Sequence, residues 1–375
     1  MLSESMIPNL QREVVAPLKA RFVGRDEVVD LIALAIVAGE HLFLHGPPGT
    51  AKSALIRGFA RAVHGSYFEY MLTRFTEPNE IFGPVDIAKL REGKVVTVTT
   101  GMLPEAEFAF LDELFNANSA ILSSLLTILN ERTFRRGLEM HRLPLLSLFS
   151  ASNHLPEEDA LKALFDRFLL RCHVENLSND ALPQLLHAGW AMEQQPLAES
   201  AISSADLRAL AKTIFRVDLT PALGAYREAV QKVRDLGIAF SDRRAVKVQK
   251  LLAASAVLCG RDAAQVSDLW VLRYVWDREE QIESLASLVN GILEQHDKEP
   301  NRHALANVRK TVDGEELARQ MERLEKEVGT GLTLSQIAQL RERLASLADQ
   351  IAWVRDEKVR QHLSDKIRTN LQRLG

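Results

Sequence analysis

Short apolar runs alternate with stretches of helical periodicity along the first half of the chain. The apolar runs cover 41–45, 66–72, 108–113, the end of 132–153 and 169–175, and each predicts a strand. Helical periodicity covers 21–40, 52–64, 118–131 and 160–168, where 21–40 is expected to be amphipathic. Four of the strands are apolar throughout, as strands buried on both faces must be. The alternation therefore predicts an α/β fold with a parallel sheet between helices.

Two further segments predict hairpins, and the second half of the chain predicts helices alone. Residues 95–101 are β-branched and follow a turn, so they predict one arm of a hairpin, and 132–153 predicts a hairpin that leads into a strand. From about 180 the strand signals stop. Near the end, apolar residues spaced 3, 4, 3, 4 and 3 predict a helical hairpin or a short coiled coil. These residues are Ile337, Leu340, Leu344, Leu347, Ile351 and Val354, and their expected partners are Met321, Leu324 and Val328.

Composition and charge exclude several classes of protein. The 375 residues are 46% hydrophobic and 26% charged, with a net charge of −4 and no long block of like charge, which argues against a protein that coats nucleic acid. No apolar run reaches the roughly 18–20 residues that span a bilayer, and the N-terminus lacks the apolar core of a signal peptide. Cys172 and Cys259 are far apart and in no metal-ligand spacing, so we expect a cytoplasmic protein without a structural metal site.

The stretch HLFLHGPPGTAKSALIRGFARA, residues 41–62, predicts a phosphate-binding loop between a strand and a helix. Its glycines allow close approach to phosphate, Lys52 can reach the β- and γ-phosphates, and Ser53 can bind Mg²⁺. Ala51 occupies the position where this motif usually has glycine, and a negative φ at Ala51 would make the methyl group harmless. The predicted loop residues are Gly46, Pro47, Pro48, Gly49, Thr50, Ala51, Lys52, Ser53 and Ala54.

Two acidic residues and one amide follow other predicted strands. Asp112 ends the strand at FAFLDE, where it can hold Mg²⁺ beside Ser53, and Glu113 can act as the general base on water. Asn153 ends the strand at FSASN and could hold the attacking water, or it could form an Asx turn.

Arginines provide candidates for stabilising charge on a transferred phosphoryl group. Arg167, in LFDRF, could act across a subunit interface, or it could pair with Asp166 or another acid. Arg243 and Arg244 open a predicted helix behind Ser241, and one of them could reach the γ-phosphate, although both could be solvated helix charges.

Taken together, GPPGTAKS, FAFLDE, FSASN, LFDRF and FSDRRA resemble, in order and spacing, the motifs of AAA+ ATPases. The alanine before the lysine resembles the MoxR branch. TRFTEPNEIFGPVDI, TTGMLPEAEFAFLDE and LLTILNERTF resemble the RavA-like subgroup most. The resemblance covers roughly residues 15–290 and fades afterwards.

This resemblance implies an αβα nucleotide-binding domain over 1–180, with an N-terminal helix at 1–20 and hairpins at about 82–101 and 133–144. An all-helical lid would follow over 181–290, and 291–375 would be a helical region that could dock a partner. It also implies ATP and Mg²⁺ as cofactors, with Gly24 near adenine, Asn153 as first sensor, Arg167 as a finger in trans and Arg243 as second sensor.

The resemblance implies a homo-oligomeric ring, usually hexameric, that remodels a protein client with a von Willebrand factor A domain partner. A nucleic-acid-stimulated motor is the first alternative, since 132–142 contains four arginines. An ATP-gated scaffold is the second, and Glu113 argues against it because a switch needs no base. The tail shows no sign of the discontinuous docking module of larger family members, which leaves the client open.

Overall fold

The computed structural model describes residues 2–136, 139–177, 181–194, 200–307, 314–327, 334–351 and 357–373. The chain divides into two compact units, 1–307 and 308–375.

Five strands of the described residues form one parallel sheet in the first unit, in the order β2-β3-β6-β1-β7. The predicted parallel sheet is therefore confirmed. The register aligns the carboxyl ends of the strands, because His45 pairs with both Ser152 and His173. The strands are β1 Leu42–His45, β2 Tyr67–Met71, β3 Phe108–Asp112, β6 Ser147–Ser152 and β7 Leu170–His173, and an antiparallel hairpin joins β4 Thr133–Arg136 to β5 Glu139–Arg142.

Helices surround this sheet and make up the rest of the first unit. The N-terminal helix runs through α1 Leu2–Leu10, a π-helical turn Gln11–Val15 and α2 Ala16–Arg21. The core helices are α3 Asp26–Ala38, α4 Lys52–Ala62, α5 Pro78–Phe82, α6 Ile87–Arg91, α7 Ser119–Glu131 and α8 Asp159–Phe165. Later helices are α9 Leu182–Gln194, α10 Ser204–Thr213, α11 Thr220–Asp235, α12 Asp242–Leu258 and α13 Gln281–Glu294. Short 3-10 helices cover Leu103–Glu105, Leu114–Asn116, Ile214–Arg216, Val266–Tyr274 and Ala304–Ala306.

Helix α3 is buried on all sides rather than amphipathic, which corrects the prediction for 21–40. Every residue from Val28 to Ala38 is buried, because α10 and α12 pack over the side of the helix that would otherwise face water. Its one buried acid in this stretch, Asp30, accepts a hydrogen bond of 2.7 Å from the Lys19 ammonium.

The segment 82–101 folds back on itself through one short antiparallel pairing, and the predicted hairpin at about 82–101 carries a helix between its two arms. Val85 and Thr97 make one isolated antiparallel bridge, and α6 lies between them. The Asp86 carboxylate caps α6 by accepting from the backbone N–H groups of Ala88 and Lys89. This local cap explains why the chain turns into a helix here instead of extending the pairing.

The β4–β5 hairpin confirms the second hairpin prediction. Phe134 of β4 is buried and stacks on Phe82, with ring centroids 4.9 Å apart. Arg132, just before β4, donates to the backbone carbonyls of Gly39 and Leu146 at 2.7 and 3.1 Å. One of the four arginines in 132–142 is therefore part of the structural framework.

Two groups of buried charges connect the sheet to the later helices. Glu40, which precedes β1, lies 2.8 Å from the ammonium groups of both Lys247 and Lys250 on α12. Asp277 accepts from Arg171 of β7 at 2.5 Å and from Arg244 of α12 at 2.8 Å. Both arginines are almost fully buried.

The second unit contains three helices in its described residues, where a helical hairpin was predicted. They are α14 Gly314–Glu327, α15 Leu334–Ile351 and α16 Glu357–Arg373. The predicted apolar stripe of α15 shares one core with α14 and with α16, whose Leu363 and Ile367 complete it. Val328 and Val354 lie outside the described residues. Within the described parts of the chain, no helix combines the length and hydropathy that crossing a membrane requires.

Candidate functional site

The loop 46–51 connects β1 to α4 at the carboxyl edge of the sheet. Its two glycines meet different structural requirements. Gly46 has a φ of 151°, and a Cβ on it would lie 2.0 Å from the carbonyl oxygen of Val174. Gly49 has a φ of 81° and open space where its Cβ would be. The loop is therefore packed against the chain after β7 at its start and open at its tip.

Ala51 has a left-handed backbone conformation, with a φ of 63° at the N-cap of α4. The negative φ that would make the methyl group harmless is therefore not the one observed. The methyl group is tolerated because Ala51 is exposed, but a left-handed alanine still costs roughly 1–2 kcal/mol. Strain of this kind is common where a loop is shaped for a ligand.

Lys52, the first residue of α4, folds back over the loop. Its ammonium donates to the carbonyl oxygens of Gly46 and Pro47 at 2.9 and 2.8 Å. Burial lowers the pKa of Lys52, and the nearby carboxylates of Asp112 and Glu113 act against this by favouring the charged form. The structure thus brings the predicted lysine and the two predicted acids together.

Glu113 has a constrained position directly after β3. Its φ is 52°, and its backbone N–H donates to the Asp112 carboxylate at 3.1 Å. The hydroxyl of Ser152, at the end of β6, donates to the Glu113 carboxylate at 3.4 Å. Sequence reasoning missed Ser152, although its place beside Asn153 at a strand end was a signal that could have found it.

The donor set suits a nucleotide with Mg²⁺. Ser53 lies in the first turn of α4, where backbone N–H groups and the helix dipole favour an anion. The Ser53 hydroxyl and the Asp112 carboxylate are oxygen donors, which Mg²⁺ prefers. The space over Gly49 and the half-buried ammonium of Lys52 fit a phosphate chain in the same place.

Gly24 and its neighbour Arg25 shape the side of the loop next to the chain that follows β7. Gly24 has a φ of 68°, and a Cβ there would lie 2.4 Å from a methyl carbon of Leu177. Arg25 donates to the carbonyl oxygens of Thr50 and Glu175 at 3.2 and 2.8 Å. Arg25 holds the loop to this segment, a role that no motif indicated.

Asn153 and Arg167 lie on the chain that leaves β6 and α8. Asn153 is exposed directly after β6, next to Ser152. The Arg167 guanidinium approaches Asp166 only to 4.0 Å. Its Nε and one Nη are buried and have no hydrogen-bond partner among the described residues.

Arg243 does not reach the phosphate loop in this structure, which differs from the prediction of a second sensor. Its guanidinium donates to the side-chain oxygen of Asn130 at 2.5 Å, near the C-terminal end of α7. That end lies at the amino edge of the sheet, because the next residues, including Arg132, contact the chain that precedes β1 and β6. Arg244 is instead committed to Asp277.

Comparison with known families gives a match over most of the first unit. Residues 9–212 match the MoxR domain in the MoxR-vWA-beta-propeller ternary systems, and residues 219–289 match an AAA lid domain. The uncharacterized protein MJ0079 of Methanocaldococcus jannaschii is 40% identical over 263 residues, which cover 69% of this chain and 68% of that protein. MJ0812 of the same organism is 39% identical over 261 residues, with 69% of each chain covered.

More distant relatives agree with these matches. Chaperone MoxR1 of Mycobacterium tuberculosis is 26% identical over 194 residues, which cover 51% of this chain and 50% of MoxR1. A solved structure of a candidate ATPase from Cytophaga hutchinsonii superimposes with a TM-score of 0.63 at 19% identity, and the match covers 78% of this chain and 96% of that one. This likeness supports the α/β fold with a helical lid.

Proposed function

Because the chain belongs to the MoxR family of AAA+ ATPases, we propose that it hydrolyses ATP at the 46–54 loop to remodel a protein partner. The observation that carries this proposal is that the loop with Lys52 follows β1 while Asp112 and Glu113 end β3 at the same edge of the parallel sheet, with Glu113 bonded to Ser152 of the intervening β6. A phosphate-binding cation, a metal-binding carboxylate and a base then surround one point, as phosphoryl transfer to water requires.

Residues at the start of α4 and at the end of β3 have separate roles in this proposal. Lys52 exchanges its two loop carbonyls for phosphate oxygens, and the N–H groups of 49–53 donate to the same phosphates. Ser53 and Asp112 hold Mg²⁺, which neutralises charge on the phosphates. Glu113 orients a water molecule, while the Ser152 hydroxyl fixes its carboxylate.

Nucleotide binding tests the site directly. Replacing Lys52 by alanine removes a charge-assisted contact and is expected to weaken ATP binding about 10- to 100-fold. Lys89→Ala is the matched control, because Lys89 is an exposed lysine paired at 3.2 Å with Glu92 on the surface. Equal ATP affinity of the Lys52→Ala variant and the parent, measured by calorimetry, would argue against the assigned loop.

We propose that Arg167 completes the site of a neighbouring copy in a homo-oligomeric ring. Its buried and unpartnered guanidinium atoms support this, since such atoms are costly unless a ligand or partner satisfies them. The test is to mix subunits of two variants. Lys52→Ala subunits keep Arg167, and Arg167→Ala subunits keep an intact phosphate loop. Each variant alone should be inactive and the mixture should regain hydrolysis, whereas an inactive mixture of folded, co-assembled subunits contradicts action in trans.

The proposed partner is a protein with a von Willebrand factor A domain. The support is the matched family model, which is defined for systems that pair a MoxR domain with a vWA protein and a β-propeller. The RavA-like placement stays a finer prediction. Glu113→Gln protein with ATP should retain a vWA protein from its host, and Lys52→Ala protein should not. Recovery of nuclease-sensitive material alone would favour the nucleic-acid motor.

The two alternative functions have less support. Arg132 donates to two backbone carbonyls and is not available to bind nucleic acid, which reduces the basic character of the β4–β5 hairpin. A scaffold that only binds ATP would have no use for a strained Glu113 held by Ser152.

A further inference from the structure

Three side chains from distant parts of the chain meet beside the phosphate loop. His45 ends β1, His173 ends β7, and Glu279 precedes α13. His45 and His173 are register partners on neighbouring parallel strands, so both side chains leave the sheet on the same face. One nitrogen of each histidine and a carboxylate oxygen of Glu279 all lie within 4.8 Å of one another.

A polar group lies on the far side of each ring and can accept a hydrogen bond from the nitrogen that faces away from Glu279. His45 Nδ1 lies 3.2 Å from the carbonyl oxygen of Ser152, which can only accept, so Nδ1 is the donor. His173 Nε2 lies 3.3 Å from the Glu175 carboxylate. With the protons on these far nitrogens, His45 Nε2 and His173 Nδ1 carry lone pairs.

Both lone pairs point at the same carboxylate. His45 Nε2 lies 3.6 Å from one oxygen of Glu279, and His173 Nδ1 lies 3.6 Å from the other. His173 Nδ1 is buried and has no hydrogen-bond partner among the described residues. Two imidazole nitrogens and a carboxylate thus converge, and a cation at their centre would satisfy the buried His173 Nδ1.

We propose that His45, His173 and Glu279 bind a divalent transition-metal ion of the Zn²⁺ type. Bonds of about 2.0–2.2 Å to nitrogen and oxygen in a tetrahedron require ligand atoms roughly 3.3 Å apart, and the three ligand atoms lie within 4.8 Å of one another, so side-chain rotations would close the site. Glu279 is half exposed and can move the remaining distance. Two imidazoles favour Zn²⁺ over Mg²⁺ or Ca²⁺, which prefer oxygen ligands.

The surroundings of the three side chains are those of a metal site. Metal-binding histidines usually donate their second N–H to a carbonyl or a carboxylate. His45 Nδ1 lies 3.2 Å from the Ser152 carbonyl oxygen, and His173 Nε2 lies 3.3 Å from the Glu175 carboxylate. Three protein ligands leave a fourth position for water. The site is separate from the proposed Mg²⁺ ligands Ser53 and Asp112.

The position of the ion gives it a mechanical role that does not depend on ATP hydrolysis. His45 directly precedes Gly46 of the phosphate loop, whereas Glu279 belongs to the segment that matches an AAA lid domain. A bound ion would tie that segment to the loop and to the end of β7.

The test uses the full chain, stripped of metal by a chelator and free of nucleotide and Mg²⁺. Zn²⁺ binding is measured by calorimetry, and Co²⁺ is added as a visible-absorption probe of tetrahedral coordination. The variants are His173→Ala and Glu279→Gln, and His45 is left intact because of its neighbour Gly46. His296→Ala is the matched control, since His296 forms a surface pair with Glu299 at 3.5 Å.

The proposal predicts one ion per chain and the strong absorption of tetrahedral Co²⁺. His173→Ala should weaken binding on the order of 100-fold, and Glu279→Gln at least about 10-fold. His296→Ala and excess Mg²⁺ should change nothing. Absence of stoichiometric binding by the parent, or equal binding by the two site variants, overturns the proposal, as does equal loss in His296→Ala.

Circular dichroism of the metal-free proteins will show whether each variant folds. If a variant does not fold, X-ray absorption of the Zn²⁺-loaded parent still tests the proposal. The expected signature is two imidazole nitrogens with oxygen in the remaining positions. A spectrum without imidazole scattering contradicts the site without recourse to any variant.

Discussion

Replacing Asp277 by asparagine removes the carboxylate that two buried arginines share. Arg171 has 1% of its side chain exposed and Arg244 has 2%, and both donate to the same oxygen of Asp277. Arg171 also donates to the Trp276 carbonyl, and Arg244 donates to the Val275 carbonyl, but these groups carry no charge. The variant therefore leaves two buried positive charges without the carboxylate to which both are bonded.

The expected loss in the free energy of unfolding follows from the burial of Asp277, Arg171 and Arg244. Removing one partner of a buried ion pair typically costs about 3–5 kcal/mol, because the remaining charge stays desolvated. Asp277 is itself 25% exposed, which allows water to replace part of its interaction. We therefore expect Asp277→Asn to lower the free energy of unfolding by about 3 kcal/mol, near the lower end of that range.

A surface pair with the same geometry provides the control. Asp242 lies 2.8 Å from Arg234, the same separation as between Asp277 and Arg244, but Asp242 is 97% exposed. Exposed pairs contribute about 0–1 kcal/mol, so Asp242→Asn should cost less than about 1 kcal/mol. Urea unfolding followed by tryptophan fluorescence suits both variants, because Trp270 and Trp276 are buried in the same unit. Similar small losses for both variants would refute the reasoning from burial.

Three further variants probe the loop and the buried charges, each measured by urea unfolding. Gly46→Ala should lose about 3 kcal/mol or more, because the new methyl would meet the Val174 carbonyl at 2.0 Å; a loss below about 1 kcal/mol would contradict the contact. Ala51→Gly should gain about 0.5–1 kcal/mol, the relief of a left-handed alanine less the added freedom of the unfolded chain; a loss of stability would show that the strain is absent. For Glu40, burial raises the pKa, but Lys247 and Lys250 together lower it more, so the folded pKa lies below the ordinary 4.5. The stability that the Glu40 carboxylate contributes is fully present above pH 4.5 and is lost as the pH falls through the folded pKa. Glu40→Gln should therefore be less stable than the parent at pH 7 and lose less stability on acidification, and parallel acid profiles would contradict this.

The sheet and the phosphate loop could be predicted because their signals are local. Apolar runs mark strands that are buried on both faces, and the loop residues are contiguous in the sequence. Asp112 could be placed because carboxyl ends of parallel strands meet at one edge.

The features that sequence reasoning missed depend on contacts between distant segments. The burial of α3 requires α10 and α12 on its outer side. The position of Arg243 depends on where α12 packs, which places its guanidinium at Asn130. The approach of His45 to His173 depends on the strand register, which no spacing in the sequence reveals.

Phosphate release from ATP by the parent and by Glu113→Gln tests the central claim most directly, provided that ATP affinity is measured on the same samples. Glu131→Gln is the matched control, since Glu131 is an exposed glutamate at the C-terminal end of α7. Loss of a general base is expected to reduce turnover about 100-fold or more and to leave ATP affinity within about threefold, because Glu113 contacts water rather than phosphate in this account. A Glu113→Gln variant that hydrolyses ATP at the rate of the parent, or a parent without ATPase activity above Lys52→Ala, would contradict the account.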